Sequence, residues 1–490
     1  MSAPADEPDF RPAVLAGHAG VYFGSQVMLI IASLIAMPIT TRLLPQDQYG
    51  LLSLLIATIS LLGIAGMAGF GETTLRFYPE HRREGSASVR VFCETMLGSA
   101  LAASTVVAGA VFIAAPWLAG DNPTYARGLR WAAPYVVLQV GSGIARQIYR
   151  CQGRSLAFAS TEVGARFLAV TLTVVSLLLF DRTAVTALVA VLIAIGVFFL
   201  VRLADLRARG TIGFPRIRLS AFALSTTYGI PLAVGASANF ILSYADRFLI
   251  GRFLGLDAVA FYSVPYDVAD RFVEVLFTPI GLAVMPALYH SWARDGRAAT
   301  SAFASRILTF VLAGVIPITV LFFLFRSEVI ALLASERYRA AATLLPLLLP
   351  GLVLSGFNFI VVAGLTVERR TARVAVHMLG VAALNIVLNL ILLPTYGLPG
   401  AAVATTIAYG VLIAANYAAG RAALPLRPEW RIIAKAAFAT AVMAAALHGI
   451  GPVSSVTNLD LAVRGPLGAA VAFASLWAME PELRQWARLR

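Results

Sequence analysis

Apolar runs of roughly 18 to 25 residues recur along this chain, and they limit its possible folds more than any other feature. About 20 apolar residues in a helix cross the ~30 Å hydrocarbon core of a bilayer. The composition agrees: 59% of the residues are hydrophobic and 13% are charged, against about 25% charged in soluble domains. The mean hydropathy is +0.82. The fold class expected is therefore an all-α polytopic membrane protein with about 14 transmembrane helices. Their approximate limits are 20–41, 50–70, 91–116, 131–148, 156–180, 184–203, 227–250, 259–288, 306–326, 343–365, 374–393, 400–420, 433–450 and 461–479.

The formal net charge of +13 is not a nucleic-acid signal, because the basic residues form no patch interleaved with aromatics. They lie mostly in short loops, where they report topology. Alternate loops carry roughly 26 Lys and Arg on one side against about 9 on the other, which predicts that both termini are cytoplasmic. The N-terminal stretch lacks a basic n-region, and the first apolar run is too long for a signal-peptide core, so it is expected to stay as a span. No outer loop is long enough for an external domain.

After span one the chain reads RLLPQDQYGLLSL, and after span seven it reads RFLGLDAVAFYSV. In a gapless pairing Arg42 meets Arg252, Leu44 meets Leu254, Asp47 meets Asp257 and Ser53 meets Ser263. Both copies lie on outward turns, so the pattern predicts two parallel repeats of six helices. The expected organisation is a cytoplasmic tail over 1–19, an N-lobe over 20–203 and a cytoplasmic linker over 204–226. A C-lobe over 227–420, two further spans within 421–479 and a cytoplasmic tail over 480–490 follow.

Several chemistries are excluded. Lys435 is the single lysine and has no Gly-rich phosphate loop before it, so there is no Walker A motif. The five histidines are dispersed, no H-E-x-x-H occurs, and Cys93 and Cys151 have no metal-ligand spacing. No cofactor, metal or catalytic triad is expected.

What remains is polar and ionisable side chains within spans, which are costly there and usually face a bundle interior or a wet cavity. In span five, with the residue just before it, Ser155, Glu162, Arg166 and Thr173 share one face, and Glu162 and Arg166 are spaced to pair. Span seven places Asn239, Ser243 and Asp246 on one face with Arg247 beside them. Span eight carries Tyr262, Tyr266, Asp270 and Glu274 at successive i,i+4 steps, with Asp267 and Arg271 alongside. An Asp267–Arg271 pair would leave Asp270 and Glu274 as excess acids, which makes Asp267, Asp270 and Glu274 candidates for ion coupling. Asn385 and Asn389 in span eleven fit hydrogen bonding across helix contacts.

Three stretches carry a resemblance. ITTRLLPQDQYGLLSLL after span one, ADRFLIGRFLGLDAVAFYSVPYDVA at mid-chain and NIVLNLILLPTYGLPGAAVATTIAYG across spans eleven and twelve resemble the Wzx-type oligosaccharide flippases. These belong to the polysaccharide-transporter branch of the multidrug/oligosaccharidyl-lipid/polysaccharide exporter superfamily. The resemblance implies two six-helix lobes around a central cavity and alternating access. Its implied cargo is a polyprenyl-pyrophosphate-linked oligosaccharide, carried between leaflets of a bacterial inner membrane with membrane lipids, a polysaccharide polymerase and export machinery as partners. Arg166, Arg247 and Arg271, with Arg76 behind them, are then candidates for the pyrophosphate, and Glu162, Asn239, Tyr262 and Tyr266 for the rest of the cavity. A lipid II flippase, a cation-coupled multidrug antiporter of the same fold and a membrane polysaccharide polymerase or ligase are the alternatives. The lipid II branch typically carries arginines within spans one and two, and here Arg42 stands only at the outer end of span one.

Overall fold

The computed structural model describes residues 12–120, 122–450 and 457–479. The start of the expected N-terminal tail, the whole 480–490 tail, and with them Arg11, Arg484, Arg488 and Arg490, lie outside the described residues. Among the described residues the regular structure is helical, with no strand. That follows from the apolar runs, since in lipid a backbone must satisfy its own hydrogen bonds.

The chain divides into two compact units, Met1–Ala260 and Phe261–Arg490. The first unit holds α1 (Pro12–Leu43), α2 (Gln46–Met67), α3 (Phe70–Glu84), α4 (Ser86–Ala119), α5 (Pro123–Cys151), α6 (Ser155–Leu179) and α7 (Ala184–Ala208). It continues through the short α8 (Leu219–Leu224) and a π-helical turn to α9 (Ile230–Leu254). The division falls inside α10 (Leu256–Arg294). The second unit contains α11 (Gly296–Leu324), α12 (Arg326–Leu333) and a 3-10 turn at Glu336–Leu344 that leads into α13 (Leu345–Gly356), α14 (Asn358–Val361) and α15 (Ala363–Val367). It ends with α16 (Thr371–Tyr396), α17 (Leu398–Gly420), α18 (Trp430–Ile450) and α19 (Thr457–Met479).

Among the described residues, eleven helical stretches are long and apolar enough to span a membrane. The remaining long helices α5, α9 and α19 coincide with the fourth, seventh and last expected spans. α5 is polar for a span because it carries Arg127, Arg130, Arg146 and Arg150. α3 is the element not anticipated. Ala68 and Gly69 both take left-handed backbone conformations, φ 44° and 77°, and α3 starts directly after them. Its sequence ends on His81, Arg82 and Arg83, charges that belong outside the hydrocarbon. Gly69 also lies backbone to backbone against Gly229, and a Cβ on either would strike the other's main chain.

In the first unit α5 packs on α4 and α7, α6 packs on α7, and α1 lies along α6. A buried run of small residues on α5, Gly141, Ser142, Gly143 and Ala145, permits close approach on more than one side. Within the 204–226 stretch, the backbone N–H groups of Gly213 and Arg216 donate to the Glu94 carboxylate (2.7 Å) and carbonyl (3.0 Å). In the second unit, α17 packs with α13 and α16, and α11 with α18 and α19. A core of Val284, Leu288, Ala304, Ile360 and Leu424 ties α10, α11 and α14 to the segment after α17.

Candidate functional site

The first unit gathers charge where three of its helices meet. Glu162 of α6 accepts from Arg146 of α5 (Oε2, 3.0 Å) and from Arg202 of α7 (Oε1, 2.6 Å). Arg202 is 1% exposed, and its remaining donors reach the hydroxyls of Thr161 (3.0 Å) and Ser142. So deep a guanidinium is tolerable only when its nitrogens find acceptors, and here each of the three donates to one. The expected Glu162–Arg166 pair is therefore corrected: α5 and α7 bring two other arginines onto the carboxylate.

Arg166 instead stays exposed and donates through Nη2 to Ser33 of α1 at 2.9 Å. It stands about eleven residues into α6, roughly 16 Å along a helix that crosses the membrane. Arg146 and Arg166 both act electrostatically on Tyr135 of α5, which puts the three side chains in one neighbourhood. Three arginines against one glutamate leave this cluster positive, and its exposed member can receive an anion.

At the far end of α9, Arg247 is 3% exposed, donates to Ser53 of α2 at 3.0 Å and lies 4.6 Å over the Tyr244 ring. The Asp246 carboxylate accepts from the Arg247 backbone N–H at 2.8 Å. Arg247 thus has a packing role between α2 and α9, while Asn239 is exposed two turns away. Arg76 on α3 is half exposed and pairs with Glu80 at 2.6 Å.

In the second unit, Tyr262 and Tyr266 are buried, with the Tyr262 hydroxyl 3.3 Å from that of Thr405 on α17. Arg271 pairs with Glu274, one turn along α10. Glu274 is thus no excess acid, a second correction: the i,i+3 step sets it on the guanidinium's face. Asp267 and Asp270 also act on Arg271, so four ionisable groups share one stretch of helix. Asn385 and Asn389 are fully buried, and the bond between them runs along α16 itself (Nδ2 to the Asn385 carbonyl, 2.9 Å) rather than to another helix.

Arg146 and Arg202 are the partners of Glu162 that the sequence pattern does not join to it. They stand at the ends of the fourth and sixth expected spans, 131–148 and 184–203. α5 runs on to Cys151 and α7 to Ala208, so each lies inside a helix by about one turn or more. Glu162, an acid within a span, was the available signal that a buried partner existed.

Residues 15–292 match the family model described as "Polysaccharide biosynthesis protein". Over 192 residues the chain is 27% identical to the uncharacterized membrane protein MJ1068 of Methanocaldococcus jannaschii, a match covering 38% of this chain and 37% of that relative. Its structure is similar to that of the lipid II flippase MurJ, with a TM-score of 0.73 at 13% identity over 95% of this chain and 99% of the other. It is also similar to an inward-facing multidrug resistance transporter of the MATE family, with a TM-score of 0.60 at 16% identity over 81% and 94% of the two chains. The fold is the one these transporters share, and the chain belongs to the polysaccharide biosynthesis protein family.

Proposed function

We propose that this protein is a flippase that moves a polyprenyl-pyrophosphate-linked oligosaccharide from the inner to the outer leaflet of a bacterial cytoplasmic membrane. It works by alternating access, with both termini cytoplasmic, and serves cell-surface polysaccharide synthesis next to a polymerase and export machinery. The observation that carries this reading is Arg166, an exposed arginine midway along a spanning helix. A charge at that depth is costly against lipid and belongs in a wet cavity. A guanidinium there suits a pyrophosphate, since its planar fork pairs two oxygens at once. Ser33, Tyr135 and the exposed Asn239 offer the neutral donors and acceptors that sugar hydroxyls require. Family membership and a fold shared with a lipid II flippase support the same class of cargo.

The experiment is deletion of the gene followed by lipid extraction. A polyprenyl-linked oligosaccharide should accumulate on the cytoplasmic face and return to normal when the chain is resupplied. Accumulation of lipid II instead would assign the peptidoglycan precursor, and unchanged lipid pools would remove the flippase reading.

A further inference from the structure

A basic cavity of about 1030 Å³ opens in the second unit, between the first turns of α11 and the segment that joins α17 to α18. Arg297, Arg306 and Arg427 line it against the single lining acid Glu429, so the lining is net positive. The walls are built, not incidental. Arg297 donates to the Ala422 carbonyl, and the Ser301 hydroxyl to the Pro425 carbonyl. In return, the backbone N–H groups of Arg427 and Glu429 donate to the hydroxyls of Ser305 (2.9 Å) and Thr309 (3.0 Å). Four rungs therefore lash the segment along three turns of α11 and fix the two backbone stretches that carry the arginines. Among the described residues, no hydrogen bond or ion pair engages the side chain of Arg306 or Arg427. Both side chains are exposed.

The geometry points to a binding site for a phosphate group, filled by the headgroup of an anionic membrane lipid. Guanidinium groups that outnumber the acids beside them favour phosphate oxygens. Basic pockets between spanning helices on the cytoplasmic side are suited to such headgroups. The positive-inside count puts both walls on that side. The surroundings favour a lipid over a free anion. Phe303 lines the cavity, and Phe310, 40% exposed, follows Arg306 by four residues on the same face of α11. Trp430, 71% exposed, follows Glu429 at the start of α18, and an exposed indole at the end of a spanning helix suits the membrane interface. A headgroup at the arginines would thus have an apolar track beside it for its chains. The site is built from residues of the second unit alone and does not depend on the identity of the cargo.

The test uses the full-length protein in neutral detergent. Native mass spectrometry counts bound lipid during titration with phosphatidylglycerol or phosphatidylcholine, and inorganic phosphate is titrated in parallel by thermal shift. The wild type should retain phosphatidylglycerol over phosphatidylcholine. The Arg306→Gln/Arg427→Gln variant should lose that preference, with about tenfold weaker phosphatidylglycerol binding. Glu429→Gln should strengthen it. Loss of a phosphate-induced thermal shift in the double variant, without any lipid preference in the wild type, would assign the site to the free anion and overturn the lipid. The phosphate site itself is overturned if wild type and double variant bind both ligands equally. Arg427→Gln and Glu429→Gln alone, which move the net charge in opposite directions, carry the same test should the double variant fold poorly.

Discussion

At the scale of single residues, Glu162 and Arg166 share a helix face but not a task. Glu162 balances Arg202, which is almost wholly buried. Removing the carboxylate leaves a charge without its counterion, a loss of about 3–5 kcal/mol when such a pair is broken on one side. Glu162→Ala should therefore lower the unfolding midpoint of the detergent-solubilised protein and reduce its level in the membrane. Arg166 is exposed and bonded to Ser33, so Arg166→Ala should leave the midpoint and the membrane level close to wild type. Polysaccharide export should nevertheless be abolished; wild-type export from that variant would remove Arg166 from the transport path. The spacing of the two residues was legible in the sequence. Their partners were not, because an i,i+4 pattern records which side chains share a face and not what another helix presents to it.

At the scale of elements, the repeated turns meet. Gln46 donates to the Asp257 carbonyl at 3.2 Å, and Gly50 sits against the Leu256 carbonyl. A Cβ at Gly50 would meet main chain, which has no rotamer with which to move aside. Gly50→Leu should cost about 1–3 kcal/mol through overpacking, read as a lower unfolding midpoint. A midpoint equal to wild type would mean that the two helix starts separate freely in solution. The paired turns were visible in the sequence as Arg42/Arg252 and Asp47/Asp257, and the structure ends α1 and α9 and starts α2 and α10 at those places. α3 was not visible, since its break rests on left-handed backbone at Ala68 and Gly69, and alanine gives no hint of that conformation.

At the scale of the whole molecule the question is what drives transport. Asp267, Asp270 and Glu274 lie around Arg271 on α10, a single cation among three acids. The Asp270→Asn/Glu274→Gln variant should change the dependence of export on the proton or sodium gradient. Measured in vesicles under imposed gradients, an unaltered dependence would remove this cluster from coupling. The structure sharpens that idea: Glu274 is held by Arg271 and both aspartates also act on it, so the four groups titrate as one cluster.

What the sequence by itself determined is the helical membrane class, the positions of the long helices and the residues too polar for lipid to tolerate. These follow from run length and hydropathy, which are local properties of a chain in a bilayer. Only the tertiary structure decided which charges are sealed and which remain open. It buried Arg202 against Glu162, set Arg247 between α2 and α9, and left Arg166 exposed. The basic cavity of Arg297, Arg306 and Arg427 was likewise invisible, because its walls are more than a hundred residues apart in the chain. The worth of a charge depends on the dielectric and the partners around it, and those are supplied by helices distant in sequence.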